Sequence, residues 1–460
     1  GAAGHYSFLH VVNGKRFTIE QGATLAPALK NLYTPGQAGY GSAQFVPELG
    51  QNFRILTAEG GIDGRFDTLV QPEGLGANTR LAAFYDYGGN DSIELKVLPA
   101  SYATWAQDAG ANARSVGAAL DRIVELDQAG KGSAAQTSLS YQTGSRNAQQ
   151  LGGVLQGLAG EVHGALAAAL PQANWELQRT LLQRADSQDG RALWIDLGAG
   201  RAKWKGGDVA SAFDADRVQV TVGFDLLKER DVRLGFGASH ASTDLDALAG
   251  NGKLRQNKVF AYGEAAAGKV VFDLQGSYGR DKTESRRADP LDPAAGLATR
   301  GSGNSALLGV GASLPTLLGG ASFAPFARVT VQRVERDALA ESPASVAALA
   351  LDEWSANGAR AVLGLSGASR NLDPLLASTW RFKLGAGVDG GELLRPVLGA
   401  TLAGERIAAG APDVGRGFVQ GGVTGTVQLR KGAYLYFGVS GEARSDYHTV
   451  GGNAGLRGVF

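Results

Sequence analysis

Cysteine and methionine are both absent from this 460-residue chain. Without thiols there is no disulfide framework and no thiolate metal site. Methionine is missing even at position 1, so the chain reads as a processed or excised piece. No basic-then-apolar stretch opens it, and any secretory leader lies upstream. Charge of either sign is not in excess: 44 basic and 44 acidic side chains give a formal net charge of zero. A nucleic-acid reader would carry a basic excess or stripe, so no such partner is expected. Histidine is sparse. His5, His10, His163, His240 and His448 are scattered with no His-x-x-x-His pair, so they are read as structural or solvated and no metal site is expected. No Gly-x-Ser-x-Gly elbow occurs. "GAGVDG" (385–390) has the spacing of a dinucleotide-binding glycine fingerprint, but it lies in a strand pattern with no helix after it. "GGND" (88–91) occurs once and reads as a turn, not a calcium-binding roll. No cofactor and no catalytic constellation emerge.

What is abundant is glycine, 68 residues, a load that suits strands and turns better than helices. Three regimes follow one another. Residues 1–100 read as short strands ("HYSFLHVV", "RFTIE", "FRILTA", "GRFDTLV", "TRLAAFYDY", "SIELKVL") parted by turn signals, as at the end of a parallel β-solenoid. Residues 101–185 switch to helical spacing. Val116, Leu120, Ile123 and Val124 share a face, a polar stretch covers 131–145, and Leu151, Leu155, Leu158, Val162, Leu166 and Leu170 recur every three or four residues. Pro171 interrupts, and Leu177 and Leu181 continue the pattern. A helix from about 165 to 185 would be about 30 Å long, the thickness of a bilayer core. It carries Glu176, Gln178, Arg179 and Gln183, so it cannot face lipid but could lie in a wet pore.

From 191 the period is two. Val218, Val220, Val222, Phe224 and Leu226 share one face, opposite Arg217, Gln219, Thr221, Gly223 and Asp225. Similar stretches run to the end, separated by tight turns and by longer links at 243–252, 283–302 and 337–353. A soluble sandwich would turn the apolar face inward; a transmembrane barrel turns it to lipid and lines its lumen with small and polar residues. Long strands, glycine and serine on the polar face, and alternating short and long connections favour the barrel. Residues 301–327 carry no charge, but their glycines and prolines spoil a helix, so two strands around "LPTLLGG" are expected. About thirteen strand-like stretches can be marked, although a barrel that begins and ends on one side needs an even number; 376–404 is where one has been split too often. In the terminal "GGNAGLRGVF", Leu456 and Phe460 would face lipid, with Ala454, Gly452 and Gly458 on the same alternation.

At this point the chain resembles a known family, the classical type V autotransporters. "FRILTAEGGIDGRFDTL" (53–69) is similar to the autochaperone stretch that closes the passenger's β-helix. "NDSIELKVLPA" (90–100) resembles its last strand, "LAGEVHGALAAALPQANWELQRTLLQR" (158–184) the linker helix, and "GNAGLRGVF" (452–460) the barrel-closing strand. The chain departs from many relatives in having Gly458, not an aromatic, two residues before the end. The resemblance implies an all-β transmembrane barrel of about twelve antiparallel strands, with a helix in its pore, preceded by the end of a right-handed parallel β-helix. It implies three parts: passenger end at 1–100, linker with pore helix at 101–185, and translocator barrel at 186–460. It implies an autochaperone core of Phe53, Ile55, Leu56, Ile62, Phe66 and Leu69, and a barrel-assembly signal in Phe460, Leu456, Ala454 and Gly452.

The implied function is export and surface display of the protein's own N-terminal passenger from the outer membrane of a Gram-negative bacterium. Residues 1–100 would then sit at the cell surface. The implied partners are outer-membrane lipids and lipopolysaccharide, the barrel-assembly machinery, periplasmic chaperones and the chain's own passenger, with the barrel a monomer. The carrier itself is not expected to be an enzyme. Some relatives release the passenger by cyclisation of an asparagine in the pore helix, which makes Asn174, with Asp196 or Asp225 assisting, the candidate for self-cleavage. A stand-alone outer-membrane pore or adhesin, with residues 1–185 as an ordinary outer or plug domain, is the other reading. Nothing in the sequence identifies the passenger's activity as protease, esterase or adhesin.

Overall fold

The computed structural model describes residues 6–29, 37, 45–85, 91–183, 191–228, 232–248, 250–318, 321–371 and 378–460. The "GGND" turn lies almost wholly outside these. Among them, twelve long strands form one closed antiparallel barrel. They are β1 (Ala192–Trp204), β2 (Phe213–Lys228), β3 (Val232–Ala247), β4 (Gly250–Ala267), β5 (Val270–Ala288) and β6 (Gly296–Ser313). Then come β7 (Ala321–Arg336), β8 (Trp354–Asn371), β9 (Ser378–Gly391), β10 (Gly417–Arg430), β11 (Ala433–Ala443) and β12 (Tyr447–Val459). Each strand pairs with the next in sequence, and β12 returns to β1, with Leu456 opposite Ile195 and Tyr447 opposite Trp204. Among the described residues no helix is long and apolar enough to cross a membrane.

The period of two becomes two surfaces. Along β1 the residues alternate between buried and exposed, Ala192, Trp194 and Asp196 facing in and Leu193, Ile195 and Leu197 facing out. Val218, Val220 and Val222 are 60%, 40% and 41% exposed, whereas Gln219, Thr221 and Asp225 are buried. The apolar side therefore points away from the interior, as hydrocarbon demands and water would penalise. Near the end where the strands begin and finish, here the turn end, outward aromatics pair across neighbours: Phe224 with Phe236, Phe323 with Phe382, and Trp380 with Phe437. Phe460 joins this rim, its ring centroid 6.1 Å from that of Phe224. Gly452, Ala454, Leu456 and Gly458 are exposed on the same outer side.

The strands run longer than the pattern indicates. The expected links 243–252 and 283–302 are mostly strand, since β3 reaches Ala247, β4 starts at Gly250, β5 reaches Ala288 and β6 starts at Gly296. Their polar outward residues there look like loop because they stand beyond the apolar belt. The thirteenth stretch is also explained. Residues 397–402 are a strand, but it pairs with Glu405–Gly410 and Leu349–Leu351, and Leu349–Leu351 pairs in turn with Leu339–Ala340, in a four-stranded sheet outside the barrel wall.

Helices α1 (Tyr102–Trp105), α2 (Ala111–Gln128), α3 (Ala134–Thr143) and α4 (Ala148–Leu158) precede α5 (Glu161–Gln183). The polar 131–145 stretch is mostly α3. Its hydrophobic pattern is weak, but Ser133 and Gln136 form a capping box that starts it. Helix α5 begins at 161, not 165, and Pro171 does not end it. Proline removes one backbone bond to the preceding turn, a cost that a surrounding wall can override.

Helices α1–α4 rest on the small sheet at the opposite, loop end. Leu120, Ile123, Leu139, Leu155 and Leu158 share one buried core with Leu297, Leu349, Leu351, Leu398, Leu402 and Ile407. Asn112 clamps Gly410 from both sides, donating to its carbonyl at 2.9 Å and accepting from its N–H at 2.8 Å.

The N-terminal segment packs on these helices in turn. Three short parallel pairs stack there, with Leu9 beside Leu56, Phe17 beside Ile62 and Thr24 beside Thr68. The strands Asn52–Ala58, Thr79–Tyr85 and Ser92–Pro99 pair antiparallel, so the stack ends in a hairpin and not in another parallel coil. Gln128 of α2 completes the edge of that hairpin through the N–H and carbonyl of Ala83.

Val220 lies mid-belt with both neighbouring strands paired. Val220→Arg should cost about 2–4 kcal/mol of folding free energy in bilayers, measured by urea titration in lipid vesicles. Gln219→Leu on the lumen side should cost nothing comparable in lipid exposure.

Candidate functional site

The lumen is filled by α5. Seventeen of its 23 residues are buried, all round the helix, which is the mark of an element enclosed by wall. The grip has three levels. Toward the loop end it is apolar: Ala165, Leu166, Ala169, Leu170 and Ala173 pack against Trp204, Phe213, Leu245, Leu254, Val334 and Tyr447. Two glycines make room there. A side chain on Gly164 would start 2.5 Å from the carbonyl oxygen of Gly410, so helix and loop sheet meet backbone to backbone. Toward the turn end, Leu177 and Leu181 pack with Trp194, Phe260 and Tyr262.

Between these levels the contacts are polar. Asn174 donates to Gln332 Oε1 at 3.0 Å and accepts from Gln256 at 3.2 Å. Gln178 donates to the Thr330 hydroxyl at 3.0 Å. Arg179 pairs with Glu176 at 2.8 Å along the helix and with Glu442 of the wall at 3.1 Å. Glu442 also takes Arg360 at 2.9 Å, and Arg360 takes Asp389 at 2.9 Å. Buried charges tolerated this way are charges with partners. Gln183 reaches the wall at Gly422, where a side chain would start 2.8 Å from its amide nitrogen. Beside Glu176, Arg179 and Thr180 the helix leaves a gap of about 70 Å³ against Gly198, Gly200 and Gly451, room for a few waters.

The proposed helpers of Asn174 are held elsewhere. Asp196 accepts from Asn453 at 2.6 Å, and Asp225 pairs with Arg457 at 2.7 Å and accepts from Tyr262 at 2.7 Å. The acid connected to Asn174 is Asp281, through Gln256, which donates to it at 2.9 Å. The six residues read as autochaperone core fall into two adjoining clusters. Phe53 and Ile55 lie with Leu69, Leu81 and Leu95, and Leu56, Ile62 and Phe66 lie with Ile19 and Ile93; Ile55 touches both. No group of three or more metal-ligating side chains occurs among the described residues.

One buried polar cluster had no sequence signal. At the loop-end mouth Glu341 accepts from Arg287 Nε and is hydrogen-bonded to His163 of α5 at 2.9 Å, and it takes the N–H of Leu349 at 2.8 Å. Arg287 also donates to the carbonyls of Gly157 and Ala347. Helix, wall and loop are thus tied at one buried point. Burial works against the Glu341 charge, but the bonds from His163 and Arg287 outweigh it and hold the carboxyl at about 2.

The Autotransporter beta-domain family model matches residues 193–440. The chain belongs to the autotransporter family. Among solved structures, the translocator domain of NalP from Neisseria meningitidis is similar, with TM-score 0.54, 15% identity, and 65% of this chain covering 100% of that one. The beta domain of the Bordetella autotransporter BrkA is similar with TM-score 0.46 and 16% identity, over 59% of this chain and 100% of that one. The transport unit of AIDA-I from Escherichia coli follows with TM-score 0.44 and 13% identity, over 64% of this chain and 99% of that one. At these identities the likeness is one of fold. No curated protein matches the chain in sequence. This autotransporter contains an outer-membrane translocator unit, a transport barrel. Its lumen is occupied by its own helix, and its loop end is covered by its own helical cap.

Three outcomes follow for the autotransporter's mouth and lumen. Glu341→Ala strands Arg287 in a buried site and should destabilise the cap by about 3–5 kcal/mol, seen as protease cleavage within 102–158. A carboxyl held below its unfolded value stabilises the fold above about pH 4, so the wild-type cap should stay protected at pH 5 and loosen as the pH falls toward 2. Asn174, bonded at both polar ends, should act as a lining residue. Asn174→Ala should leave the blotted chain length unchanged, whereas an uncut precursor seen only in the variant would make it the cleavage site.

Proposed function

We propose that this translocator exports and displays its own N-terminal segment, and that α5 is the part of the chain left in the pore. The supporting observation is the threading. The wall begins at Ala192 and ends at Val459, paired with one another at the turn end. Everything described before α5 is packed beyond the loop end, and α5 spans the lumen between the two. A chain whose wall starts on one side and whose N-terminal part is folded on the other has passed through the middle. We assign the turn end to the periplasm and the loop end to the cell surface. The stacked strands of 6–99 are then the last part of a β-helical passenger, and Phe53, Ile55, Leu56, Ile62, Phe66 and Leu69 are the apolar template on which earlier coils fold.

The test uses the full chain in cells and in planar bilayers. Ile55→Asp combined with Phe66→Asp should turn a protease-resistant surface segment into a protease-sensitive one, while the barrel keeps its heat-modifiable gel mobility. Deleting 161–183 should raise single-channel conductance from near closed to open. An equally conducting intact chain would instead favour a stand-alone pore with an outer domain.

A further inference from the structure

We infer that one sector of the outer wall, over β4–β6, is a docking site for the phosphate groups of an anionic lipid in the surface leaflet. The inference rests on the orientation proposed above. On β5 the outward residues run Phe272, Leu274, Gly276 and Tyr278, then Arg280, Lys282, Glu284 and Arg286. The apolar run ends at Tyr278, and the next outward residue is a cation. The registers place more cations beside it. Lys282 stands opposite Arg255 of β4, and Arg300 of β6 stands opposite Glu284. Like charges directly opposite on adjacent strands repel. Arg255 spends its charge on Glu284 at 2.8 Å. Among the described residues Lys282, Arg286 and Arg300 have no carboxylate partner, and Arg280 has only the Ser302 hydroxyl at 3.4 Å. All four are exposed.

The rim over β1 and β2 is different. Over β1 and β2 the outward charges at the same height are Arg201, Lys203, Asp214 and Asp216, and they neutralise one another at 3.3–3.5 Å. Four exposed cations without a carboxylate partner thus cluster in this sector, immediately above the belt that meets hydrocarbon. That is the depth of lipid headgroups. Guanidinium forks and an ammonium spaced by one strand pairing suit phosphate oxygens. A surface glycolipid carrying phosphate on its headgroup, lipopolysaccharide, meets the charge and the depth together, its acyl chains lying against Leu274, Leu308 and Val310.

The experiment titrates the refolded full chain with lipid A in zwitterionic micelles and measures co-eluting lipid. The triple variant Arg280→Gln, Lys282→Gln, Arg300→Gln should bind roughly a hundredfold more weakly, about fivefold for each surface cation removed. Arg201→Gln with Lys203→Gln should bind as wild type does. Dephosphorylated lipid A should bind the wild type as weakly as lipid A binds the triple variant, and millimolar inorganic phosphate should not displace the lipid. Equal binding by wild type and triple variant, equal binding of the dephosphorylated lipid, or displacement by inorganic phosphate would overturn the inference. Heat-modifiable mobility, followed for every variant, reports the barrel independently, and cell-surface protease access reports the orientation.

Discussion

The pairing of β1 with β12 is the interaction on which the rest depends. In hydrocarbon no water is available for an unpaired backbone group, so a sheet can cross only if it has no edge. Closure removes both edges along the whole seam, from Tyr447 opposite Trp204 to Val459 opposite Ala192. Side chains inside the wall brace it. Asn453 of β12 donates to Asp196 of β1, and Tyr436 of β11 donates to the Ile195 carbonyl at 3.2 Å. Arg457 of β12 reaches across β1 to Asp225 of β2. Each bond joins strands from opposite ends of the wall's sequence, so none can form until the wall is closed.

Closure also fixes what the interior must be. With the apolar residues committed to lipid, the lumen receives the polar half of every strand. A helix placed there cannot be held by greasy contacts alone, nor could a charged helix survive without partners. The observed solution divides the work. Apolar rings and leucines hold α5 at both ends, and an amide and ion-pair network holds it in the middle. The network is extended, Arg179, Glu442, Arg360, Asp389 and Arg444 each touching at least one other. Removing any one member leaves another buried charge short of a partner, which is costlier than the pair was stabilising.

Much of this was legible in the sequence because it is local. Val218 to Leu226 alternate regardless of what surrounds them, and the leucines of 151–181 keep helical spacing. Legibility failed where the signal was non-local or cancelled. Outward Glu284, Arg286 and Arg300 read as loop because strand polarity is judged against a lipid belt they stand above. Helix α3 hid because its apolar pattern is weak, although its Ser133–Gln136 cap was present in the letters. Residues 397–402 alternate like barrel wall, and only their partners show them to belong to the outer sheet. Glu341 is one acid in a polar link until Arg287 and His163, 54 and 178 residues away, converge on it. The acids chosen to assist Asn174 were plausible by depth, but depth does not fix azimuth, and the wall holds them against other strands.

The cap adds a constraint that the barrel alone does not impose. Its core joins Leu120 and Leu155 on one side to Leu349, Leu398 and Ile407 on the other, residues that come from before α5 and from two loops of the wall. Such a core has no counterpart for a chain whose α1–α4 lie at the turn end, because the loop sheet is not there. The same holds for Glu341, which needs His163 at the mouth where Gly164 meets Gly410. Helix in lumen and cap on loops are therefore mutually supporting: α5 in place positions the cap, and the cap's burial opposes withdrawal of α5 toward the turn end. Sliding the helix back by one turn, about 5.4 Å, would break the His163–Glu341 bond, pull Leu166 out of register with Gly252, and strip Leu177 and Leu181 from Trp194 at once. Because these losses coincide in one motion, the threaded state is held as a unit and not by any single contact.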